Sequence, residues 1–109
     1  IQGGADVTRK GEHFPPIALE RTNVTGLRHR DGVISMARST PDSASDNFFI
    51  TIGDQPSLDF GGLRNPDGQG FAAFGRVIQG MDIVRRIQMA PAAEQRLTPA
   101  VKILRIRRK

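Results

Sequence analysis

The 109-residue sequence contains no cysteine, which excludes a disulfide scaffold and any thiolate-held zinc or iron–sulfur centre. Tryptophan and tyrosine are also missing, and aromatic residues make up only 6% of the chain. A stacking platform for single-stranded nucleic acid would have little material. No apolar run approaches the roughly 20 residues that span a bilayer, and the first residues are not a basic stretch followed by an apolar one. A G-x-S-x-G nucleophile elbow and a G-K-[ST] phosphate loop are both absent, so neither a hydrolase triad nor a nucleotide cradle has a motif behind it.

What is present fits one ordinary globular domain at most, 38% hydrophobic and 25% charged. Sixteen Lys and Arg against eleven Asp and Glu leave a net charge of +5. Arg105, Arg107, Arg108 and Lys109 crowd the C-terminus. Nucleic-acid binding through that tail rests on charge alone, because no zinc-finger spacing, basic-zipper heptad or RNA-binding aromatic motif accompanies it. A solvated terminal strand is the preferred reading, so no nucleic-acid or membrane partner is expected. His13 and His29 have no ligand partners at metal-site spacing and read as exposed loop histidines. Asn65, Asp67 and Gln69 alternate like part of a calcium loop, but no spaced Glu completes it. Asn23-Val24-Thr25 is a formal glycosylation triplet of a kind common by chance. The absence of cysteine is compatible with either a cytoplasm or a periplasm.

Short β-branched and aromatic runs separated by glycine turns predict a mainly β domain. Strands are expected at 32–37, 48–52 and 71–78, with a brief one at 17–20 and a terminal one at 101–106. Residues 5–31 otherwise read as loop, as do 38–47 and the glycine-rich 60–70. One helix is expected over 80–89, where Ile83, Val84 and Ile87 share a face and Pro91 ends the element. Ile34, Met36 and the Ile83/Val84/Ile87 stripe are the expected core.

Three segments in fixed order carry a resemblance. They are Ile1-Gln2-Gly3-Gly4, then Gly32 to Arg38 leading into Asn47-Phe48-Phe49-Ile50, then Phe74-Gly75-Arg76-Val77 through Val84. Together they resemble the cyclophilin family of peptidyl-prolyl cis/trans isomerases, and Pro15-Pro16-Ile17 and Leu27-Arg28 are similar to its bacterial branch. The resemblance implies a closed eight-stranded antiparallel β-barrel with two helices, of which about six strands and one helix would lie in this chain. The first two strands, the first helix and the family's catalytic arginine would precede Ile1. Residues 1–109 are therefore expected to be an N-terminally incomplete domain, monomeric when complete.

By the same resemblance, Gln2 is the glutamine that bonds the substrate and orients the arginine. Ala37, Arg38 and Ser39 form the strand end that pairs with the substrate backbone. Arg38 stands where the family often has Asn, and contacts there are largely main-chain. Asn47 replaces the usual Gln before the double Phe. Phe49 and Leu58 wall the proline pocket, and Phe71 falls where a pocket His is common. Ser57 stands where many members have the Trp that helps bind cyclosporin, which implies weak or no cyclosporin binding. The implied substrates are proline-containing polypeptides, and no cofactor or metal is expected. A proline-peptide binding module without turnover is the alternative.

Overall fold

Within residues 1–4 and 14–108, which the computed structural model describes, the apolar runs become short strands. His13 and Lys109 lie outside the described residues. The strands β1 (Gln2–Gly4), β2 (Val33–Met36), β3 (Asn47–Ile50) and β4 (Ala73–Arg76) form one antiparallel sheet in the order β1-β3-β2-β4. The register places Gln2 opposite Phe49 and Phe49 opposite Ser35. Directly opposed residues share a face, and successive residues alternate. Gln2, Phe49 and Ser35 therefore form a row across one face, while Gly3, Phe48 and Met36 form a row across the other.

This alternation also decides burial. Val33 and Ser35 are buried, whereas Ile34 and Met36 point to the less covered face and are only half-buried, contrary to the expectation that both are core. The apolar core consists of Leu19, Val33, Ala44, Leu58, Ala72, Ala73 and Val84.

A single helical turn, α1 (Thr22–Thr25), interrupts the expected loop and ends on Gly26, whose φ of 75° is left-handed. The expected helix is α2 (Met81–Gln88), with Asp82 in its first turn and Arg85 and Arg86 in its last, as the helix dipole favours. Arg85 reaches Asp31 at 2.9 Å and ties α2 to the turn before β2. Only Val84 of the expected stripe is fully buried; Ile87 is half-buried and Ile83 exposed, because a two-turn helix covers only a narrow strip with its apolar face.

Two expected strands do not form. At 17–20 there is one bridge, Ile17 N–H to the Ala44 carbonyl at 2.8 Å. The next ladder position is taken by a side chain, since the Asp42 carboxylate accepts the Leu19 N–H at 3.0 Å. The segment 101–106 has no strand pairing among the described residues, and Val101, Ile103, Leu104 and Ile106 are exposed. A strand exists only where a neighbour supplies partners for its backbone groups. The six strands instead include β5 (Ala92–Ala93) and β6 (Arg96–Leu97), joined by Glu94 and Gln95, both at positive φ as the tight hairpin turn requires. The four-stranded sheet is open, with β1 and β4 as its edges.

The glycine-rich loop closes on itself. Phe71 N–H donates to the Leu58 carbonyl at 2.9 Å, and Gly61 N–H to the Gly68 carbonyl at 2.7 Å. Gly70 is buried at φ +72°, and a Cβ there would lie 2.6 Å from the Asp59 carbonyl carbon. Gly68 has a similar φ of +66° but open space around it. Gly70→Ala should therefore cost more than the roughly 1–2 kcal/mol of left-handed strain expected for Gly68→Ala. Urea unfolding of the two variants checks this ordering.

Candidate active site

The eight residues that the resemblance assigns to the site converge on one cleft. Gln2, Ala37, Arg38, Ser39, Asn47, Phe49, Leu58 and Phe71 all line a cavity of about 990 Å³ on one side of the sheet. They come from five places. β1 brings Gln2, β3 brings Asn47 and Phe49, and the chain leaving β2 brings Ala37, Arg38 and Ser39. A 3₁₀ turn, Pro56–Leu58, supplies Leu58, and the residues leading into β4 supply Phe71.

The apolar wall is built around Phe49. Its ring meets Phe71 edge-on, with centroids 5.4 Å apart and planes at 86°, a favoured aromatic arrangement. Leu58 is buried beside them. The polar wall is the strand end after β2. There the Ala37 N–H donates to the Asn47 carbonyl at 3.0 Å, and the Ser39 N–H donates to the Ser43 hydroxyl at 3.0 Å. The Asn47 amide is held by Asp46, 3.2 Å away. An apolar floor beside a row of backbone and amide groups suits a peptide that carries a small apolar ring.

Behind Phe49 lies a group the sequence reading misplaced. His29, expected to be an exposed loop residue, is 2% exposed. Its ring stacks on Phe49 at 6.0 Å and 15°. Nδ1 lies 2.8 Å from Asp59 Oδ1, and Nε2 lies 2.8 Å from the hydroxyl of Ser35, which is wholly buried. The Asp59 carboxylate only accepts, so Nδ1 donates towards it, and Nε2 is paired with the Ser35 hydroxyl. The same carboxylate accepts the His29 backbone N–H at 2.9 Å. The order Asp–His–Ser is that of a hydrolase triad, but a hydroxyl sealed inside the sheet is out of reach of any substrate carbonyl. The three residues serve as a scaffold. One sequence signal pointed to it: a serine in the middle of the apolar run Val33-Ile34-Ser35-Met36 needs a buried partner.

Other lining residues escaped the sequence reading, among them Ser43, Ser45, Gln55, Arg64, Gln88 and Gln95. Gln88 ends α2, and Gln95 sits on the β5–β6 turn; only the folded path of the C-terminal third brings them to the rim. No helix among the described residues is long and apolar enough to cross a membrane.

The family model described as cyclophilin type peptidyl-prolyl cis-trans isomerase/CLD matches residues 1–108. A peptidyl-prolyl cis-trans isomerase of Acinetobacter baylyi is 36% identical over 94 residues, covering 85% of this chain and 48% of that protein. Peptidyl-prolyl cis-trans isomerase A of Dickeya dadantii is 41% identical over 91 residues, 80% of this chain and 44% of that protein. Peptidyl-prolyl cis-trans isomerase-like 1 of Neurospora crassa is 39% identical over 112 aligned residues, 98% of this chain and 63% of that protein. The chain thus spans about half the length of the two bacterial relatives.

Removing the imidazole would leave the buried Ser35 hydroxyl without its partner and strip the Asp59 carboxylate of its side-chain donor, leaving it only the His29 backbone N–H. His29→Ala should therefore lose roughly 2–4 kcal/mol of stability. His29→Gln, whose amide can donate and accept, should lose less. Chemical unfolding of both variants tests the ordering; equal losses would show that packing, not the hydrogen bonds, is what His29 contributes.

Proposed function

The chain belongs to the cyclophilin-type peptidyl-prolyl cis-trans isomerase family, and on that premise we propose that its cleft binds proline-containing polypeptides and accelerates rotation about their X–Pro bonds. The observation that carries the reading is the convergence of Gln2, Asn47, Phe49, Leu58 and Phe71 with the 37–39 strand end on one cleft.

Rotation about an X–Pro bond crosses a barrier of about 18–20 kcal/mol because it breaks amide resonance, so uncatalysed exchange takes roughly tens to hundreds of seconds. A catalyst needs no covalent step. It must seat the proline ring, hold the flanking peptide and stabilise the twisted amide, whose nitrogen becomes pyramidal. In this reading Phe49, Phe71 and Leu58 seat the ring. The backbone at Ala37, Arg38 and Ser39 pairs with the substrate chain on the far side of the ring. Asn47 supplies an amide to the peptide, and Gln2 bonds the substrate next to the bond that turns. Gln2 stands directly opposite Phe49 in the register, so ring seat and amide donor are fixed to one another by a single ladder. The donor to the prolyl nitrogen is assigned by the resemblance to an arginine ahead of the Ile1-Gln2-Gly3-Gly4 segment. Exposed Ser57 offers no ring to a bulky cyclic peptide, so cyclosporin binds weakly.

The test is exchange spectroscopy on a short X–Pro peptide with the full protein that carries this chain. Acceleration over the uncatalysed rate is expected, with kcat/KM falling at least about tenfold in Phe49→Ala, equivalent to some 1.4 kcal/mol of transition-state stabilisation. Peptide binding without acceleration would reject the enzymatic reading.

A further inference from the structure

The end of β2 and the glycine-rich loop are joined through one side chain. The Arg38 side chain is completely shielded from solvent, and each of its five N–H groups meets an acceptor. Nε donates to the Gly70 carbonyl at 2.9 Å, and Nη2 donates to the same oxygen at 2.6 Å. Nη2 and Nη1 grip the two carboxylate oxygens of Asp67 at 3.0 and 2.8 Å, and Nη1 also reaches the Ser39 carbonyl at 3.1 Å. A guanidinium has five donors and no acceptor. None is left for a substrate carbonyl.

The same guanidinium lies over the Phe71 ring, 5.1 Å from its centroid, a distance at which cation and ring attract. Apart from this grip and one bond from Arg21 Nε to Gln69 Oε1 at 2.6 Å, the described bonds of residues 61–70 are mostly local turns. Phe71 follows directly on that loop, and its ring stands nearly perpendicular to that of Phe49.

We propose that Arg38 and Asp67 are positioning residues: their bidentate pair latches the 59–70 loop to the end of β2 and so holds Phe71 against Phe49, setting the width of the seat that takes the proline ring. The latch rests on the isomerase reading for its functional meaning, but its existence can be measured without turnover. An isolated exposed ion pair would not serve, because such pairs are loosely held and screened. Here the fork-to-carboxylate geometry, the shared Gly70 carbonyl and the sealed guanidinium fix one arrangement.

The latch also has a pH signature. Hydrogen bonds from Arg38, then from the Gln69 backbone, hold the Asp67 carboxyl below its ordinary value of 3.8, with the charges of Arg38 and Arg21 acting in the same direction. A depressed carboxylate contributes its stability above the unfolded value and loses it as pH falls through the lower folded one. The latch should therefore stay closed throughout the neutral range and open only in acid, below the ordinary carboxylate range.

The experiment compares Arg38→Lys, Asp67→Asn and the double variant in the full protein. Amide hydrogen exchange at Gly61, Gly68 and Phe71 is followed at neutral pH, together with KM and kcat on an X–Pro peptide. Each single variant should lose about tenfold of exchange protection and raise KM roughly three- to tenfold with a smaller change in kcat; the double should be no worse than the poorer single. Lysine keeps the charge but not the fork, so its failure to rescue separates geometry from charge. Unchanged exchange and KM in both single variants, or fully additive losses in the double, would overturn the latch. If the wild-type protein accelerates no X–Pro exchange, the isomerase reading falls, and the amide-exchange arm alone decides whether the latch exists.

Discussion

The fold around the cleft depends on one requirement: the hydroxyl of Ser35, buried in the centre of a sheet, must have a partner. A buried hydroxyl left unpaired costs about 1–3 kcal/mol, a large share of the stability of a small domain. His29 meets that requirement, and in doing so it needs an acceptor of its own, which Asp59 provides. Asp59 follows the 3₁₀ turn that carries Leu58, and His29 precedes the turn into β2. β2, the segment just ahead of it and the 3₁₀ turn far along the chain are therefore fastened at one point, and the ring that completes the knot is the surface on which Phe49 rests.

This explains a division of labour across the sheet. Residues opposite one another in the ladder share a face, so the row Gln2, Phe49, Ser35 runs from cleft to knot without a break. A slip of one residue in β3 would turn Phe48 into the cleft and Phe49 out of it, and the knot would lose its aromatic neighbour. Register is thus over-determined by a polar cluster as well as by apolar burial. Small domains often lack enough apolar area to enforce a register alone, and a core made largely of alanine, valine and leucine places this chain in that class.

How much of this was legible in the sequence follows the range of the interaction involved. β2, β3, β4 and α2 were readable because periodicity and glycine punctuation are local. The cleft residues were readable through motif order, which stores long-range geometry that no local rule contains. His29 was misread because its surroundings, Leu27-Arg28-His29-Arg30-Asp31, look like a polar loop; its burial is decided by Asp59, thirty positions later. The 17–20 and 101–106 segments have strand composition, but composition supplies only half of a ladder. The Asp42 carboxylate displaced one partner, and no described strand offers the other. The reach of Arg38 to Asp67 and Gly70 was equally invisible, since it spans a loop of no regular pattern.

The strongly basic composition takes on a different meaning inside the cleft. Arg38 contributes to the +5 net charge, yet its charge is neutralised by Asp67 and all its donors are occupied. In the proposed latch its effect on a ligand is therefore mechanical. Catalysis of a rotation gains from walls that do not yield, because interactions aimed at the twisted amide count only if the ring stays seated while the rest of the peptide turns. A rigid seat can be made by a large apolar core or by polar fasteners around a small one. This chain uses fasteners, the Ser35–His29–Asp59 knot behind Phe49 and the Arg38–Asp67 grip beside Phe71, so that two aromatic rings on different segments meet at a fixed angle.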